Sequence, residues 1–137
     1  MLDFDSKYFA TLPYFGLYFA VSLALLAVFL ATYTLATRYP EWRLMRDGNN
    51  AAAITLIGAA LGFVLPLAVS IVSSVNIVDM VIWGAIAMAV QLAAYLVIRR
   101  ALPRFDDAVV AGKTAPAALL AGLSVCVGVL NAACISY

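Results

Sequence analysis

Seven of the eight basic residues of this chain fall in two short gaps between long apolar runs. The runs cover residues 14–37, 51–74, 78–98 and 115–137. Each is close to the roughly 20 residues that an α-helix needs to cross the hydrocarbon of a bilayer. Backbone in lipid must satisfy its own hydrogen bonds, so an apolar run of this length is expected as a helix. The expected fold is all-α and polytopic: a single integral membrane domain, residues 1–137, with four transmembrane helices. They group into two tandem hairpins, residues 14–74 and 78–137, with little chain outside the bilayer.

Composition narrows the function more than it names one. Apolar residues make up 66% of the chain and charged ones 11%, against roughly a quarter charged in an ordinary soluble domain. The net charge is +1 and the basic residues are spent in loops, so no nucleic-acid surface is expected. Histidine is absent, which removes the commonest general base, zinc ligand and proton switch. Glu41, Asp47, Asp106 and Asp107 could hold a metal at the membrane surface, yet no nucleophile arrangement accompanies them. No catalytic residue, cofactor or metal is therefore assigned. Cys126 and Cys134 sit eight apart on one helix, roughly 12 Å at 1.5 Å per residue, beyond the reach of a disulfide. They are expected as buried thiols that pack.

Loop charge orients the chain. Arg38, Arg43 and Arg46 lie in the first gap, and Arg99, Arg100, Arg104 and Lys113 in the third. Short loops rich in Lys and Arg stay on the cytoplasmic side. The expected topology is N-out and C-out. The opening residues carry Asp3 and Asp5 against Lys7, unlike the positive start of a signal peptide. Residues 1–13 then read as a short external arm, with Tyr8, Phe9, Tyr14 and Phe15 as interfacial aromatics. In the outer turn, Asn76 suits a helix N-cap, and Asp79 can reach back from the first turn.

A shift of 64 positions lays Gly48 on Gly112, Ala51 on Ala115, Leu56 on Leu120, Gly58 on Gly122 and Ala68 on Ala132. Each half then reads as a helix, a basic loop ending in glycine, and a second helix rich in small residues. Two crossings per half give both halves one orientation, a parallel repeat. Gly58 and Gly62 form a GxxxG pair in the second run, and Gly122 and Gly128 line the fourth. Such spacing lets helix backbones approach closely, within one chain or between copies. Pro66 cannot donate to the Gly62 carbonyl, so a kink is expected there. Gln91 and Asn131 are the amides at depth. Their depths differ too much for one to bond the other, so each needs its own partner. The absence of a charged residue mid-membrane argues against proton-coupled transport.

Residues 41–53, with 61–67, Trp83-Gly84, Gln91-Leu92 and 130–134, resemble the YjfL-type bacterial inner-membrane proteins, a family of unknown function numbered 350. The similarity runs along nearly the whole chain, and Glu41, Arg46, Gly48, Asn49, Gly62, Pro66 and Asn131 carry it. The resemblance implies four helices in two repeats, a bacterial plasma membrane and neighbouring genes of envelope stress or polyamine chemistry. It implies no activity. The second loop departs from the first, having Asp106 and Asp107 but no Glu-x-x-Leu-x-Arg run.

The leading expectation is a non-enzymatic membrane component that self-associates as a homo-oligomer or docks a membrane or cytoplasmic protein. Its second and fourth helices would supply the contact. Glu41, Arg43, Arg46 and Asp47 would form a charged docking face around Trp42 and Leu44, with Arg46 held by Glu41 or a lipid phosphate. The alternative is a small oligomeric channel or transporter.

Overall fold

A computed structural model of the protein describes residues 2–135, with side chains from Asp5 onward. Ser136 and Tyr137, the end of the fourth apolar run, lie outside the described residues, as does the Asp3 side chain. The chain forms α1 (Leu2–Ala36), α2 (Glu41–Arg46), α3 (Asn50–Ser73), α4 (Ile77–Ala101), α5 (Phe105–Val110) and α6 (Thr114–Ile135). The four long helices are each long and apolar enough to cross a membrane.

Two expectations change at once. The supposed external arm is helical, because α1 continues unbroken through Pro13. Proline there removes only the bond to the Phe9 carbonyl, and residues 5–17 are exposed, so its ring disturbs no packing. The basic gaps, in turn, are not plain loops. Each folds into one short helix, α2 or α5, closed in the same way. Asp47, Gly48 and Asn49 donate their backbone N–H groups to the carbonyls of Arg43, Met45 and Leu44. Ala111, Gly112 and Lys113 donate to Asp107, Val109 and Ala108, in each case 64 positions later. Gly48 and Gly112 carry φ of 87° and 78°, the left-handed cap that an L side chain resists.

Helix α3 is the centre. Ala51, Ala52, Leu56, Ala59, Phe63 and Leu67 on it are buried, and Ala117, Leu120 and Ile135 of α6 join them in one core. The α3–α6 contact runs backbone to backbone. A Cβ on Gly58 would overlap Ala121, and one on Gly128 would sit 2.6 Å from the Gly62 Cα. The Gly62 carbonyl, to which Pro66 cannot donate, abuts Gly128. Despite Pro66 the helix remains one element. Helix α1 joins by Phe29, stacked on Phe63 with ring centroids 4.6 Å apart. Towards its N-terminus it leaves α3, and a cleft of about 310 Å³ opens among Tyr14, Phe15, Tyr18, Phe19, Ser22 and Ile71.

Small residues in α6 divide by face. Gly128 is buried in the contact, whereas Gly122 has open space where a Cβ would go. Cys126 and Cys134 are exposed, not buried as expected. Their rows point away from α3, and apolar thiols cost nothing facing lipid.

Candidate functional site

The short helix α2 turns one carboxylate into the protein. Pro40 precedes it, Arg43 and Arg46 point outward, and Glu41 at its first position is 2% exposed. Around it stand Tyr33 from α1, Thr37 and Tyr39 from the connecting link, Thr55 from α3 and Tyr95 from α4, all buried. The Tyr33 and Tyr95 rings meet edge to face at 4.9 Å. The Tyr39 hydroxyl lies 3.5 Å from Thr55 Oγ1. Thr55 and Thr37 spend their own hydrogens on the carbonyls of Ala52 and Thr34.

Four oxygens in this chamber have no hydrogen-bond partner: both of the Glu41 carboxyl, Tyr33 Oη and Tyr95 Oη. Among the described residues no cation forms an ion pair with the carboxyl. Arg99, whose charge acts on Tyr95, is spent on Asp106, with Nε 3.1 Å from Oδ1 and Nη2 2.5 Å from Oδ2. Burial pushes the Glu41 carboxyl from 4.5 up to about 7; a hydrogen bond from Thr37 would lower it, but that hydroxyl gives its hydrogen to the Thr34 carbonyl. Burial also raises Tyr39 to about 12, while Thr55 holds it back. Next to the chamber a cleft of about 390 Å³ opens at the loop end, walled by Arg38, Arg99, Arg104, Phe105, Asp106 and Asp107.

A second polar point lies where α3, α4 and α6 meet. Gln91 Nε2 donates to the Ser124 carbonyl at 2.8 Å, while Gln91 Oε1 has no partner. A Cβ on Gly62 would fall on the Gln91 amide and 2.5 Å from the Ser124 oxygen. Gly62 is thus the residue whose missing side chain admits the glutamine. Asn131 Nδ2 is buried without a partner, and no hydrogen bond joins it to Gln91 among the described residues.

The loop residues singled out in the sequence separate here. Asn49 accepts from the Ala52 N–H at 3.1 Å, capping α3, and donates to the Val109 carbonyl at 2.8 Å, tying α3 to the end of α5. Gly48 supplies the turn before it. Arg46 is exposed and forms no ion pair with Glu41, so the first of its two expected partners, Glu41 or a lipid phosphate, is not used. The expected docking face also breaks up. Glu41 is inside, Leu44 packs against the core, and Trp42 stays 52% exposed. Sequence reasoning missed Tyr33, Tyr39, Thr55 and Tyr95, since tyrosines near helix ends read as interfacial aromatics. One signal could have found the site. The position 64 residues after Glu41 is Phe105, which begins α5 as Glu41 begins α2, so one short helix opens with a carboxylate and the other with an apolar residue.

The Domain of Unknown Function (DUF350) family matches residues 7–135. The UPF0719 inner membrane protein YjfL of Escherichia coli (strain K12) is 31% identical over 123 residues, covering 90% of this chain and 93% of the relative. The UPF0719 transmembrane protein YshE of Bacillus subtilis (strain 168) is 30% identical over 88 residues, 64% of this chain and 66% of the relative. No solved structure matches the chain. With four helices fit to span, one relative named an inner membrane protein and another a transmembrane protein, the chain is a multi-pass protein of the bacterial inner membrane and belongs to the DUF350 family.

Proposed function

We propose that the protein is a non-enzymatic inner-membrane component that works as a homo-oligomer, its copies meeting along α1. The supporting observation is the weak attachment of that helix. Only 6% of its most apolar stretch is buried within one chain, against 50% for α3. Of the glycines expected to pack helices or join copies, Gly58, Gly62 and Gly128 are already used between α3 and α6, and Gly122 faces open space. What remains unpartnered is the aromatic outer half of α1, where Phe15 and Phe19 stack 5.8 Å apart. A second copy laid in the cleft beside them would bury these rings, and aromatic pairs gain beyond simple area. In the same reading the halves are a tandem repeat, supported by the matching closures of α2 and α5, and both basic loops face the cytoplasm by the charge rule.

Crosslinking in nanodiscs tests the assembly. After Cys126→Ser and Cys134→Ser, Phe15→Cys should give disulfide-linked dimers in lipid, and native mass should show a multimer. A single-chain mass across concentrations, with no Phe15→Cys crosslink, means that lipid alone covers α1.

The alternative reading, a small oligomeric channel or transporter, has one specific observation in its favour: an ionisable group, Glu41, buried without a counter-charge. Such residues mark ion and proton paths in membrane proteins. Flux in proteoliposomes that is lost in Glu41→Gln and Asn131→Leu would select this reading. Equal flux in empty liposomes would remove it.

A further inference from the structure

We propose that Glu41 is a proton-binding site: the fold carries one exchangeable proton on this carboxyl, among the hydroxyls of Tyr33, Tyr39, Thr55 and Tyr95. The geometry leaves the ionised form without support. An unpaired carboxylate out of water is costly, and the usual remedies are a cation, several hydrogen-bond donors or a proton. The groups that face Glu41 can be counted by element. Helix α1 offers Tyr33; the link offers Thr37 and Tyr39; α3 offers Thr55; α4 offers Tyr95 and, further out, Arg99. Asp106 of α5 neutralises that arginine, and Arg38 is exposed on the cleft wall. Among the described residues no cation forms an ion pair with the carboxylate, and neither of its oxygens accepts a hydrogen bond. A proton removes the charge that burial penalises, and it is the remedy left here, since no phenol oxygen reaches the carboxyl as a hydrogen-bond partner.

The molecule contains its own control. Phe105 begins α5 as Glu41 begins α2, and is 2% exposed in the same way. An apolar residue therefore suffices to plug a short helix of this shape into the bundle. The hydroxyl groups follow the same asymmetry, since the positions 64 residues after Tyr33, Thr37, Tyr39 and Thr55 are Val97, Ala101, Pro103 and Leu119. The polar groups around Glu41 come mainly from the first half, and Tyr95 of α4 is the hydroxyl that the second half adds. Folding alone does not ask for them, whereas holding a proton does. Exchange with solvent runs at the loop end, where Asp106 on the cleft wall lies within electrostatic range of Tyr39 and Tyr95. The displaced position of the carboxyl towards neutral pH supports the same conclusion.

Glu41 is the only glutamate of the chain, which makes the test direct. Protein labelled with carboxyl-13C glutamate, in nanodiscs, gives one titrating side-chain carboxyl resonance; label passing into Gln91 sits in an amide that does not titrate. The expected result is a single transition with its midpoint near 7, absent in Glu41→Gln. Glu41→Phe, which copies the other half, should insert and fold while losing the transition, so the test survives if the glutamine variant does not fold. A midpoint at the ordinary value for glutamate near 4.3 would overturn the proposal, as would a carboxyl that stays in one protonation state from about pH 5 to about pH 9. The conclusion holds whichever functional reading above is correct.

Discussion

At Glu41, the position of one side chain makes stability depend on pH. Its folded carboxyl titrates near 7 and its free form near 4.5. The folded state therefore holds the proton more tightly than the unfolded chain. Its contribution is complete below about 4.5 and is lost as pH rises through about 7. The size follows from the displacement and is on the order of 3 kcal/mol. Denaturant midpoints in mild detergent should fall across this window for the wild type and stay flat for Glu41→Gln; parallel slopes would refute the assignment. Asn49 offers a second test. Its side chain both caps α3 and bonds the α5 carbonyl, so Asn49→Ala should cost about 1–2 kcal/mol. Equal stability would mean that water replaces both bonds. The cap was legible in the sequence because N-capping is local. The Val109 partner was not, lying 60 residues away.

Among the elements, α3 and α6 depend on glycine at some positions and not at others. A methyl group at Gly62 or Gly128 would meet backbone, which cannot yield by a rotamer change. Gly62→Ala and Gly128→Ala should each lose about 2–3 kcal/mol or more, read as thermal unfolding in detergent. Gly122→Ala, with open space at its Cβ, should stay within about 0.5 kcal/mol. A neutral Gly62→Ala would show that the helices pack less closely than this contact requires. A larger side chain, as in Gly62→Leu, would break the fold itself, because it would meet the Gln91 amide and the Ser124 carbonyl. The GxxxG spacing was visible in the sequence, but small residues look alike whether they meet a neighbouring helix, another copy or lipid. At Pro66 the helix continues as one element, and the Gly62 carbonyl that the proline leaves free lies against Gly128.

For the whole molecule, orientation is the property to test. If the basic loops are inside, an impermeant thiol reagent applied to intact cells should label a cysteine at position 5. A cysteine at position 43 should stay unlabelled until the membrane is opened, in a background lacking Cys126 and Cys134. The reverse pattern would invert the topology. What the amino-acid sequence determined by itself is everything set by transfer to lipid or by neighbours along the chain: four spans, two basic connections, glycine turns and asparagine caps. Tertiary structure alone decided which helix is central, that α1 stands half apart, and that Glu41 folds inward to meet three tyrosines. The physical reason is that lipid and protein interior are equally apolar, so hydropathy carries no record of which face is buried. A six-residue helix is likewise too short for its periodicity to show which side faces in, and a glutamate amid arginines reads as solvated until packing removes the water.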